Sequence, residues 1–139
     1  MAVVLNPYLH FNDGKTKEAM EFYKSIFGGK LKISTFGEFP NPSITEEMKD
    51  HVMHAVLETD HLQIMASDTD PVGDVTVGGN VELSISGDDE EALRGYFNGL
   101  CKDGKITMTL EKQAWGDLFG MVTDKYGINW MVNIAVPKS

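Results

Sequence analysis

The sequence holds a single cysteine, Cys101, so no disulfide can close within the chain. That residue falls at the end of an expected helix with no motif around it, which favours a buried structural thiol over a nucleophile. Basic residues are also scarce: 12 Lys and Arg stand against 21 Asp and Glu, a net charge of -9. A surface of that sign repels a phosphate backbone and an anionic bilayer, so neither nucleic acid nor membrane is an expected partner. Long apolar runs are missing. The opening Met1-Ala2-Val3-Val4-Leu5-Asn6-Pro7 has no basic stretch before it and stops being apolar after Leu5. It is too short for a signal peptide or a membrane span, and the expected location is cytoplasmic. Glycine-rich loops are few as well. Gly78-Gly79 is the only such spot between expected elements, and neither a P-loop nor a dinucleotide fingerprint occurs, so nucleotide cofactors are unsupported.

What is present is a folded composition, 42% hydrophobic and 24% charged, in 139 residues. A chain of this size buries about two-thirds of its unfolded surface without needing a metal or disulfide. We expect one domain over residues 1-139, with no low-complexity segment. Ala19, Phe22, Tyr23, Ile26 and Phe27 recur at the spacing of one helix face, and Gly28-Gly29 ends that helix. Leu93, Tyr96, Phe97 and Leu100 repeat the spacing, with Asp88 and Glu91 forming a capping-box-like start.

The flanks are alike too. Tyr8-Leu9-His10-Phe11 and Val81-Glu82-Leu83-Ser84 precede the helices as short extended runs. Leu31, Ile33 and Thr35 alternate with polar residues after the first helix, and Ile106, Met108 and Leu110 after the second, each predicting a half-buried strand. Hairpins are expected over residues 51-67 and 118-136. A single shift superposes Gly14 on Gly87, Glu18-Ala19 on Glu91-Ala92 and Tyr23 on Tyr96, a weak internal repeat. The segments 37-50, with Pro40, Pro42 and a helical turn from Thr45, and 68-79 read as loops. The chain is thus strand, helix and three strands used twice, over residues 1-70 and 78-139. Four strands with one helix leave one sheet face uncovered, which predicts an α+β fold of cupped mixed sheets with helices outside and a small-molecule cavity on the concave side.

The runs Tyr8-Leu9-His10-Phe11, Glu18-Ala19-Met20-Glu21-Phe22-Tyr23 with Phe27-Gly28-Gly29, and Met53-His54-Ala55 resemble the PhnB-like branch of the vicinal oxygen chelate (glyoxalase/bleomycin-resistance/dioxygenase) superfamily. Trp115-Gly116-Asp117-Leu118-Phe119-Gly120 and the run from Thr123 to Asn133 extend the resemblance over nearly the whole chain and are more specific to this branch. The resemblance implies paired βαβββ modules, a homodimer, and a site inside each cup. In superfamily enzymes that site holds a divalent metal on His, Glu or Gln from the first and last strands of modules, where the metal stabilises developing oxyanion charge. Here the first-strand positions fall at Pro7 or Tyr8 and at Asn80 or Val81. The last-strand positions fall near Ile64 and Met131, with Met65, Trp130 and Val132 as neighbours and Gln63 the one polar neighbour. The usual ligand positions are not occupied by ligating residues, so no cofactor is expected, while a divalent metal in a displaced site stays open. Members of this branch carry a demethylubiquinone methyltransferase label, but this chain has neither the length nor the glycine-rich strand-to-helix turn of the usual methyl-donor fold.

Among individual residues, His10 and His54 lie on expected neighbouring strands and could serve as acid and base, with Asp68 as a carboxylate partner. These are the catalytic candidates. Each has a plainer reading: His54 alternates with Val52 and Val56 as a half-buried strand residue, and Asp68 can cap a turn. His51 and His61 at strand ends read as solvated, and Asp124 as a turn residue. Tyr8, Met65, Trp115 and Trp130 are the candidate ligand contacts, the tryptophans as aromatic walls. Met53, Met65, Met108, Met121 and Met131 all fall on expected strands, where they fill either a core or an adaptable cavity. The leading expectation is a small, partly apolar ligand bound without metal. A metal-dependent lyase, isomerase or transferase with a displaced site is the alternative, and a dimer whose catalytic role belongs to a partner or has been lost is the third.

Overall fold

The computed structural model describes residues 5–12, 14–38, 46–68, 78 and 81–136. The expected loop around Pro40, Pro42 and Thr45, most of the connection between halves, and Asn80 lie outside the described residues. The chain divides into two compact units, Met1–Thr76 and Val77–Ser139.

The first unit runs β1 (Tyr8–Phe11), α1 (Thr16–Phe27), β2 (Lys30–Thr35), β3 (Val52–Glu58) and β4 (Gln63–Asp68), with short 3₁₀ turns at Phe36–Glu38 and Glu46–Met48. The second runs β5 (Leu83–Gly87), α2 (Glu90–Cys101), β6 (Lys105–Lys112), β7 (Leu118–Thr123) and β8 (Asn129–Ile134). The sheet orders are β1-β4-β3-β2 and β5-β8-β7-β6, the same path taken twice. In each sheet the first strand pairs in parallel with the last, and the remaining pairs are antiparallel. The α+β class and the doubled module are as the sequence predicts.

Each sheet packs one face on its helix. In the first, Phe11, Ala55, Leu57, Ile64 and Ala66 are buried with Ala19, Met20 and Tyr23 of α1. In the second, Val122, Trp130, Val132 and Ile134 are buried with Leu93, Phe97 and Leu100 of α2. The buried stripe of α1 is therefore rotated from the predicted one: Met20 is fully buried, whereas Phe22 is only half-buried. The repeat also shifts by one residue, because buried Ala19 and Tyr23 answer to Leu93 and Phe97 rather than to Ala92 and Tyr96.

The helix starts differ in origin. Asp89, not Asp88, caps α2, its carboxylate accepting from the Ala92 N–H at 3.1 Å. At α1 the cap position is Lys15, which offers no side-chain acceptor. Both helices end where expected. Gly28 closes α1 at a φ of 75°, and Gly29 at a φ of 88° lies so close to the Glu58 carbonyl that no side chain fits there. The first strand after α2 departs from its prediction. β6 forms, but Ile106 is 50% and Met108 41% exposed, so its apolar alternation is not buried within this chain. Among the described residues no helix is long and apolar enough to cross a membrane.

Candidate functional site

Residues that alternate with the core point to the face of each sheet that its helix leaves uncovered. In the first module register fixes which ones meet: Tyr8 pairs with Met65, and His10 with Ser67. Met65 in turn pairs with Val56, two residues beyond His54. Contrary to the sequence expectation, His10 and His54 are not on neighbouring strands, because β4 lies between β1 and β3. Two strand spacings are about 10 Å, beyond the reach of one imidazole to another's strand. Tyr8 spans the gap. Its hydroxyl is 3.0 Å from His54 Nδ1, and its ring centroid stands 5.7 Å from His54 and 5.1 Å from His10. His10 Nδ1 is 3.1 Å from the Ser67 hydroxyl. The result is a row of three rings, with Tyr8 at the centre and 41% exposed.

Asp68 does not join this row. Its Oδ1 accepts from the Thr16 N–H at 3.1 Å and its Oδ2 from the Val52 N–H at 2.8 Å. The carboxylate therefore supplies the cap that α1 lacks locally and ties it to the start of β3, and it is buried at 6% exposure. Its role is structural, the turn-cap alternative carried further than one turn. Thr16 and His51 each carry a buried side-chain atom, Oγ1 and Nδ1, without a hydrogen-bond partner. His51 is thus half-buried rather than solvated, whereas His61 is exposed as expected.

Trp130 also leaves the candidate set. It is 2% exposed, on the helix side of β8, and its indole N–H donates to Asp124 Oδ2 at 2.8 Å. Asp124 Oδ1 accepts from the Tyr126 and Ile128 N–H groups, so the expected turn residue also anchors a core tryptophan. Trp115 is 55% exposed and stands edge-on to Phe119, 5.7 Å between centroids. On the same open face Met121 pairs with Met131, and Asn133 donates to Asp117 at 3.1 Å. Met65, Met121 and Met131 are half-buried on the open faces, and among the described residues the fully buried methionine is the helical Met20. Burial pushes the Cys101 thiol above its ordinary value, which keeps it a poor nucleophile.

The residues at the superfamily's ligand positions do not fit its divalent metal. Tyr8 is engaged with His54 and Ile64 is 2% exposed in the core, while Asp68, the acid of a displaced site, is committed to two backbone N–H groups. Among the described residues no group of three or more His, Cys, Asp or Glu side chains converges. The sequence reading missed Ser67 and the bridging place of Tyr8. Both depend on the parallel β1–β4 pairing, which local pattern does not encode.

Comparison with known proteins agrees with this architecture. The family model for 3-demethylubiquinone-9 3-methyltransferase matches residues 4–133. Protein YjdN of Escherichia coli K12 is 35% identical over 94% of this chain and 95% of its own length. A Pseudomonas aeruginosa protein, PA1353, has a solved structure that superposes with a TM-score of 0.79 at 31% identity, covering 94% of this chain and 98% of that one. A PhnB protein from Bacillus cereus gives a TM-score of 0.75 at 28% identity, covering 96% of this chain and 100% of its own. A glyoxalase/bleomycin resistance protein/dioxygenase family enzyme from Burkholderia phytofirmans shares the fold alone, with a TM-score of 0.58 at 12% identity over 93% of this chain and 97% of that one. With a doubled βαβββ fold and matches of this extent, the chain belongs to the PhnB-like family described as 3-demethylubiquinone-9 3-methyltransferase, within the glyoxalase/bleomycin-resistance fold group.

Proposed function

We propose that this protein binds a small, partly apolar molecule on the open face of its first module, without the superfamily's metal. The observation that carries the reading is the Tyr8 ring set between two imidazoles with its hydroxyl on His54. Polar groups that can orient a ligand thus stand beside the apolar Met65 and Val56. In the second module Trp115 and Phe119 offer an aromatic surface of their own. The family's methyltransferase description is not carried over. The β1-to-α1 turn holds one glycine, Gly14, and the sheets are mixed rather than the doubly wound parallel type that cradles a nucleotide-like donor.

The test is a fragment titration followed on isotope-labelled methionine methyls and histidine rings. Shifts concentrated at Met65 together with His54 are expected, and fragments that move no open-face methyl would overturn the reading. Calorimetric titration of chelator-stripped protein with zinc, nickel and manganese addresses the metal-dependent alternative. Tight binding near one ion per chain, lost in His54→Ala, would replace the metal-free reading. Self-association as a homodimer is supported by the exposed Ile106 and Met108 on β6. A monomer by light scattering at micromolar concentration would count against it.

A further inference from the structure

Hydrogen bonds already made on the open face of the first module restrict what a ligand there can offer. A phenol hydroxyl is a strong donor and, with its lone pair drawn into the ring, a weak acceptor, whereas an unprotonated imidazole nitrogen is a strong acceptor. The 3.0 Å contact between the Tyr8 hydroxyl and His54 Nδ1 is best made with the phenol donating to the ring nitrogen. With Nδ1 accepting from the phenol, the N–H of the ring is the one on Nε2. This atom has no hydrogen-bond partner among the described residues and is not one of the buried unpaired atoms, which leaves it a donor open to solvent. His10 is likewise held through Nδ1 by Ser67.

Charge on the same face points the same way. Ser34 pairs with His54 and Lys32 with Val56, so Lys32 lies in the row beside His54. Glu58, the one acid of this face among the described residues, is paired in register with Lys30. Lys32 forms no ion pair among the described residues. An open N–H donor with an ammonium that makes no ion pair on the adjoining strand suits an anion, although the chain as a whole is acidic.

We infer that the open face of the first module recognises the oxyanion of a small ligand, a carboxylate being the simplest case. The His54 Nε2–H donates to it, Lys32 supplies charge, and Tyr8 fixes the histidine tautomer as a positioning residue. This rests on the binding reading of the same face. The test titrates full-length protein, isotope-labelled at its histidine nitrogens, with benzoate, benzylammonium and benzyl alcohol, which share a ring and differ in the group it carries.

The free protein is expected to show His54 with its proton on Nε2. Benzoate should shift that nitrogen and bind roughly tenfold more tightly than the other two probes. Tyr8→Phe should release the tautomer preference and weaken benzoate several-fold, and Lys32→Ala should weaken it while flattening its salt dependence. Benzyl alcohol binding as tightly as benzoate, or benzylammonium binding best, overturns the oxyanion inference and leaves small-molecule binding intact. A proton found on His54 Nδ1 overturns the inference as well. No shift from any probe at any open-face residue removes support from the binding reading itself, and the inference falls with it.

Discussion

The two modules follow one path through space and place different chemistry at its equivalent points. In the first, Tyr8 sits opposite Met65 and His10 opposite Ser67; in the second, Ser84 sits opposite Met131 and Ser86 opposite Asn133. Stepping two residues from the matched pairs Val56–Met65 and Met121–Met131 brings His54 into the place of Phe119. The methionine is common to both faces, and around it one module carries a phenol and two imidazoles while the other carries hydroxyls, an amide and a phenyl ring. Strand order and register decide where a side chain stands. They are indifferent to what it does there, which is why one fold hosts many functions.

The modules also use a buried carboxylate differently. Asp68 joins α1 to β3 across the chain, whereas Asp124 closes a turn and holds Trp130. The largest effect expected from breaking this contrast is in the second module: Trp130→Ala should cost about 3–5 kcal/mol in denaturant unfolding, against less than about 0.5 kcal/mol for the exposed Trp115→Ala. Equal costs would return Trp130 to the open face. Next, Asp68→Ala should cost about 2–3 kcal/mol, because two buried N–H groups lose their acceptor. Hydrogen exchange should quicken at Thr16 and Val52, and unchanged protection there would refute the capping role. Phe22→Ala should cost about 1 kcal/mol, below the value for a fully buried ring, since this residue lies at the edge of the α1 stripe. A loss like that of Tyr23→Ala would show the stripe wrongly placed. The smallest effect sharpens the contrast most: Ser84→Tyr with Phe119→His should transplant the tyrosine–histidine bond to the second module within about 0.5 kcal/mol of the parent stability. Histidine nitrogen shifts would report whether the bond forms.

Much of the architecture could be read from local pattern. The apolar spacing around Tyr23 and Phe97, the glycines after Phe27, and the alternation in β2 are each set within a few residues, where helix and strand periods act directly. The site was partly readable: Tyr8, His10 and His54 were named, but not that Tyr8 bridges a strand to reach His54, nor that Ser67 holds His10. Asp68 and Trp130 misled because a carboxylate at a strand end and an aromatic on a strand look alike whether they face a cavity or a core.

The two helix starts show where local information ends. Asp89 stands three residues before the N–H it caps, so the start of α2 is written in the sequence itself. Lys15 gives α1 no cap, and the missing acceptor arrives from Asp68 on β4. The sequence by itself determined the elements, their order and which residues are amphipathic, because those follow from periodicity and short-range sterics. Only the tertiary structure decided which face each polar residue serves, because a parallel pairing between β1 and β4 joins residues that no local rule relates.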